Sequence, residues 1–257
     1  MIIRKSPREI EKMAATGALV AETIAHAGSL LRAGVTTDEV DAAAGAFIRE
    51  RGGIPTSEGY KGYPKAICIS VNDVVVHGIP DDLAVDDGDL VTIDVGVTLD
   101  GYIADSAYTF GVGDVEPEDQ RLLDVAQDAL AAGIAEAVVG NRVGDVSHAI
   151  QEVVEGGGFS VVRSLVGHGV GRSYHEDPHI PNFGRPGRGP LLADGMTLAI
   201  EPMITAGGPE VYVHDDDWSI STEDGSLAAH FEHTVAITAS GPRILTLSGD
   251  REPSLLS

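Results

Sequence analysis

Four acidic residues interrupt runs that otherwise read as buried β-strands: Asp94 in LVTIDVGV, Asp105 in YIADSAYTF, Glu201 in LAIEPMI and Glu232 in HFEHTVAIT. A carboxylate inside an apolar strand rarely stays buried unless it is paired or bound to a cation. One such residue could be an accident of a strand edge; four suggest a metal cluster. The first two can be placed more closely. Asp100-Gly101 separates two β runs, a type I′ hairpin signal, and with that loop Leu99 pairs with Tyr102 and Asp105 faces Gly96. Asp94 then lies two residues along on the same face, within ~7–8 Å by Cα. Two anions that close need a cation, a shared proton or open water. Solvated acids on an exposed strand face are the alternative.

Histidines supply the second signal. GHGVGRSYHEDPH holds His168, His175 and His179 among glycines that let the backbone approach a ligand closely. His175 to His179 also spells H-E-x-x-H, which binds zinc when a helix puts both histidines on one face. Pro178 lies inside that run and is incompatible with a helix there. The glycines at 167, 169 and 171 likewise lack the G-x-G-x-x-G spacing and the βαβ setting of a dinucleotide site. Taken singly, each histidine has a structural or surface role as its alternative.

The elements that must carry these groups can be read around them. Ser6 and Glu9 form an S-x-x-E capping box with Pro7 at the first helical position, and Ile10, Met13, Val20, Ile24 and Leu31 follow at helical spacing. A second helix starts near Thr36-Thr37 and stops at Gly52-Gly53; two more are expected over about 117–139 and 145–155. Short β-branched runs fill about 66–110 and the last third, ending in PRILTLS. Helix pairs flanking hairpin-rich segments predict an α+β fold over a mostly antiparallel sheet, in one domain over residues 1–257.

Composition narrows the function classes. Of 257 residues 17 are basic and 40 acidic, a net charge of −23, which disfavours nucleic-acid and anionic membrane partners. The N-terminus lacks the apolar core of a signal peptide, and no run is long enough to span a bilayer. The single cysteine, Cys68, excludes an intramolecular disulfide and suits a reducing, cytoplasmic setting. Arg4, Lys5, Arg8 and Lys12 form a local basic patch that would be free to touch a ribosome.

NDVVVHGIP, the DVG…ADSA hairpin, GHGVGRSYHEDP, EPMI and FEHTVAIT occur in this order. Together they resemble the type I methionine aminopeptidases of peptidase family M24, over nearly the whole chain. Glu201 and Glu232 lie 31 residues apart, too close for the helical insert of the type II enzymes, and no N-terminal extension precedes the first helix. The resemblance implies the pita-bread fold: a curved antiparallel sheet flanked by two helix pairs with pseudo-twofold symmetry. It implies that Asp94, Asp105, His168, Glu201 and Glu232 hold two divalent metal ions. Oxygen donors with one imidazole suit Co²⁺, Mn²⁺, Fe²⁺ or Zn²⁺ without choosing among them.

By the same resemblance His77 and His175 would hydrogen-bond the substrate, and Glu201 would shuttle a proton. Tyr60, Tyr63, Cys68, Tyr174 and Trp218 would surround the methionine side chain. His233 would be structural or support the ligands, and His179 would be structural. Ser57 stands where the family commonly has cysteine, and Tyr174 where it commonly has phenylalanine. The implied activity is removal of N-terminal methionine from nascent chains when the second residue is small, by a monomeric, cytoplasmic enzyme. A prolidase or aminopeptidase P of the same fold, and a non-catalytic relative acting as a binding protein, are the rivals.

Overall fold

The computed structural model describes residues 1–247. The first half runs α1 (Pro7–Gly28), α2 (Thr37–Glu50), β1 (Ile54–Pro55), β2 (Cys68–Val71), β3 (Val74–Val76), β4 (Leu90–Leu99) and β5 (Tyr102–Gly111). The second half begins with α3 (Pro117–Glu136), α4 (Val143–Gly156), β6 (Ser160–Val161), β7 (Val166–Gly169) and β8 (Glu176–Pro181). It continues with β9 (Thr197–Ile200), β10 (Met203–Thr205), β11 (Val211–Val213), β12 (Ile220–Thr222), β13 (Ala228–His230), β14 (His233–Thr238) and β15 (Gly241–Ile244). Each half is thus a helix pair followed by antiparallel strands, the α+β plan expected.

The local signals explain the boundaries. Ser6 caps α1 and Glu9 returns the bond to the Ser6 backbone, while Thr36 and Glu39 repeat the arrangement at α2. The helix α1 buries Ile10, Met13, Val20 and Ile24 but ends at Gly28, so Leu31 lies beyond it. The Asp100-Gly101 loop takes positive φ at both residues, 51° and 76°, as a type I′ turn requires. The register that follows pairs Leu99 with Tyr102 and Gly96 with Asp105, as the sequence predicts. Around Pro178 the chain is strand β8 rather than helix, which rules out the H-E-x-x-H zinc arrangement. Of the expected last strand, Gly241–Ile244 is extended and Ser248 falls outside the described residues, as does the end of the expected 1–257 domain.

Two cores form. Val20 and Ile24 of α1 and Ile48 of α2 pack on Ile69, Ile93 and Val95. Leu122, Ala126 and Leu130 of α3 and Ile150 of α4 pack on Leu198, Ile200, Phe231 and Val235. Among the described residues the antiparallel layer divides into four sheets. Its central break falls at Glu201-Pro202 and Phe231-Glu232. The β9–β14 ladder ends at Ile200 paired with His233, and the β10–β13 ladder resumes in the same register at Met203 paired with His230. Proline has no N–H to continue a ladder, and the Glu232 N–H turns to the Ala107 carbonyl of β5 instead, at 2.9 Å. Threonines bridge the gap: Thr234 Oγ1 donates to the Asp105 carbonyl at 2.8 Å, and Thr109 Oγ1 donates to the His230 carbonyl at 2.9 Å.

Close approach fixes one residue type in α1. A Cβ on Gly17 would stand 2.1 Å from the Leu245 carbonyl oxygen, a backbone atom that cannot swing aside. Gly17→Ala is therefore expected to destabilise the protein by about 1–3 kcal/mol through overpacking. Urea denaturation checks this; an unchanged midpoint would mean that α1 can shift away from the β15 segment at no cost.

Candidate metal centre

The ladder break brings the five expected ligands together. Asp94 comes from β4, Asp105 from β5 and His168 from β7; Glu201 and Glu232 stand at the two sides of the break. One ligand atom each of Asp105, His168 and Glu232 fall within 4.8 Å of one another, and all three residues are buried. His168 Nε2 is 3.4 Å from Glu201 Oε1 and 3.8 Å from Asp105 Oδ2. The ring is aimed by its other nitrogen, which lies 2.9 Å from the Gly169 carbonyl. That contact assigns the proton to Nδ1 and leaves Nε2 a free lone pair toward the carboxylates. All five line one cavity, together with His77, His175, Tyr60, Tyr63, Cys68, Tyr174 and Trp218.

Electrostatics identify what the cluster lacks. Burial raises the carboxyl pKa of Asp94, and burial with the neighbouring carboxylates raises those of Asp105, Glu201 and Glu232 well above the usual range. Burial pulls His168 down to about 3, so the imidazole is neutral. Asp94 Oδ1 and Glu232 Oε1 are buried with no hydrogen-bond partner. A nest of acceptors with a neutral imidazole, and no cationic side chain among the lining residues except Lys61 at its rim, is built for cations.

The remaining pocket residues are held by contacts of their own. Tyr60 Oη lies 2.9 Å from His175 Nδ1, and the two rings stack at 5.4 Å between centroids. Tyr63 donates to the Gly78 carbonyl at 2.8 Å and meets Trp218 edge-on at 5.1 Å. His77, in the left-handed region at φ 58°, stands 6.3 Å from the Trp218 ring. Cys68 lies opposite Asp94 in the β2–β4 ladder. The two departures from the family pattern meet each other: Ser57 Oγ and Tyr174 Oη are 3.2 Å apart, and Tyr174 Oη points on to Asp105 Oδ1 at 3.5 Å. Tyr174 also fills the space above Gly96, where any Cβ would stand 2.3 Å from its hydroxyl.

Other residues fall differently. His179 is exposed and outside the cavity. His233 is buried, with Nδ1 2.8 Å from Thr246 Oγ1. Lys5 is not part of a surface patch: its ammonium pairs with Glu176 Oε2 at 2.6 Å, with both side chains at most 5% exposed. Glu176 Oε1 accepts from the Arg172 N–H at 3.0 Å, so this buried pair tethers the loop that presents Tyr174 and His175. His230, Met203, Leu165 and Val166 also line the cavity and were not anticipated. Only His230 left a trace in the sequence, two residues before Glu232 and so on the same strand face.

Residues 11–239 match the model of metallopeptidase family M24. The methionine aminopeptidase of Clostridium perfringens is 49% identical over 96% of this chain and 99% of its own. The chain belongs to metallopeptidase family M24. Among solved M24 structures, the methionine aminopeptidase of Rickettsia prowazekii superposes with a TM-score of 0.95 at 42% identity, covering 96% of this chain and all of that one. The prolidase of Pyrococcus furiosus, at 23% identity and a TM-score of 0.75, covers 95% of this chain and 65% of that chain; it shares the fold. The expected pita-bread architecture is therefore the architecture of this chain.

Burial raises the pKa values of these carboxyls, so a cation competes with protons for them and metal binding is linked to pH. Their raised pKa values mean that affinity grows as pH rises through the range where they ionise. Calorimetric titration of Mn²⁺ into metal-free protein, in buffers of different ionisation enthalpy, should show net proton release at neutral pH. Absence of release would mean that the carboxyls are already ionised without a cation.

Proposed function

We propose that this M24 protein is a methionine aminopeptidase that removes N-terminal methionine from polypeptides whose second residue is small. One observation carries the reading: four buried carboxylates and a neutral imidazole converge in the same cavity as an aromatic-lined pocket. The 49% identity to a methionine aminopeptidase, against 23% to a prolidase, supports the substrate class.

In this reading Asp94, Asp105, His168, Glu201 and Glu232 hold two divalent ions drawn from Mn²⁺, Fe²⁺, Co²⁺ and Zn²⁺. Such ions, when bound, supply Lewis acidity at the scissile carbonyl and a water of lowered pKa. The side chains do the rest. Tyr60, Tyr63, Cys68, Tyr174 and Trp218 enclose an unbranched thioether side chain. Burial lowers the pKa of His77 to about 4 and, with Lys61 nearby, lowers that of His175, so both rings are neutral at pH 7. A Tyr60 hydroxyl donating to His175 Nδ1 leaves Nε2–H as a donor toward the oxygen on which charge develops. Glu201 accepts a proton on its carboxylate as water attacks the carbonyl carbon, and delivers it to the amine nitrogen as the C–N bond breaks. The side chain of the second residue must fit beside the packed His168 and His175 rings, whose centroids are 4.2 Å apart. The protein acts as a cytoplasmic monomer on nascent chains near the ribosome; among the described residues no helix is long and apolar enough to cross a membrane.

Two measurements test the reading. His175→Ala should lower kcat by ~10²-fold or more with metal content unchanged, whereas His168→Ala should lose metal; loss of metal from His175→Ala would reverse the two roles. On peptides, Met-Ala-Ser should be cleaved and Met-Lys-Ser and Leu-Pro-Ser left intact, since a misplacement of ~1 Å can cost ~10²-fold. Cleavage of Leu-Pro-Ser without Met-Ala-Ser would make the enzyme prolidase-like, and no cleavage by metal-loaded protein would favour a binding role.

A further inference from the structure

Among the described residues His230 is the cavity histidine whose two ring nitrogens are both buried and unpartnered. It ends β13, opposite Met203 of β10, and is 2% exposed. Its backbone is fully used: its N–H donates to Thr109 Oγ1 at 2.9 Å, and its carbonyl accepts from the same hydroxyl at 2.9 Å. Its Nδ1 and Nε2 are both buried without a partner. The nearby buried imidazoles differ, since His168 is tied to the Gly169 carbonyl and His233 to Thr246. A ring held only for bulk would be better replaced by leucine or methionine, because burying unpaired polar atoms is costly.

What His230 faces is Glu201. Its Nε2 lies 3.8 Å from Glu201 Oε2, while Glu201 Oε1 lies 3.4 Å from His168 Nε2. The carboxylate thus sits between two imidazoles, one at each oxygen. The Glu201 backbone is held separately, its carbonyl accepting from Asn182 Nδ2 at 2.9 Å. Closing 3.8 Å to a hydrogen bond requires about 1 Å of side-chain movement.

The geometry points to His230 as a positioning residue for Glu201: Nε2–H donates to Oε2, which keeps Oε1 turned toward His168. The inference rests on the metallopeptidase reading of the site. In it His230 acts through Glu201.

The test compares His230→Leu, which fills the volume without a donor, and His230→Gln, which keeps an N–H donor. Each full-length, metal-stripped protein is titrated with Mn²⁺ in a calorimeter, melted without metal, and assayed on Met-Ala-Ser. His230→Leu should melt at or above the wild-type temperature, bind Mn²⁺ ~10–100-fold more weakly, and lose kcat more than KM changes. His230→Gln should recover most of the affinity and of kcat. A leucine variant that melts lower, or fails to fold, overturns the inference, since the ring would then be a core element. Unchanged Mn²⁺ affinity in the leucine variant, or equal loss in both variants, overturns it as well. If the peptidase reading itself fails, wild-type protein will show no Mn²⁺-dependent cleavage, which the affinity comparison does not require.

Discussion

Desolvated negative charge is the constraint around which this chain is organised. Four carboxyl groups are brought into the seam between two helix-backed halves, where burial pushes every one of them toward the protonated form. No ion pair with a lysine or arginine relieves them among the described residues. The surrounding architecture follows from keeping them there: a rigid type I′ hairpin for Asp94 and Asp105, and a ladder interrupted by Pro202 for Glu201 and Glu232. Threonine hydroxyls hold the two sides of the gap together without adding charge. The neutral histidines fit the same logic, since an imidazolium in the cluster would compete with the cations it is built to receive.

Much of this was legible in the sequence, and for identifiable reasons. The hairpin register followed from the Asp100-Gly101 dipeptide alone, because a two-residue turn fixes every pair beyond it. Pro178 sufficed to reject the helical zinc motif, and β8 stands in its place. The Ser6–Glu9 capping box and the Thr36-Thr37 pair marked helix starts accurately, whereas the end of α1 was overrun by three residues because apolar spacing continued past Gly28. The cavity residues carried over from the family pattern all line one cavity; their chemical roles rest on the proposed reaction.

What stayed hidden depends on contacts between distant segments. Lys5 looked like one of four surface bases, yet it is the buried counterion of Glu176, 171 residues away. Nothing local distinguishes it from Arg4 or Arg8. His230 reads as an ordinary residue of a mixed strand, and its lack of partners exists only in three dimensions. The division of the layer into separate sheets was equally invisible, because Pro202 marks one edge of the break while the Ala107 carbonyl that captures Glu232 comes from the other half.

The distribution of the ligands across the seam also bears on how the molecule comes into being. Two of them arise from β4 and β5 and three from segments beyond α4, so the nearest pair bridging the halves, Asp105 and His168, encloses more than sixty residues of chain. Closing a loop of that length has to be driven by packing of both cores. A single half offers at most two of the acidic donors beside each other, or the imidazole with the two glutamates. The full set of five donors therefore exists only when both halves have docked in register.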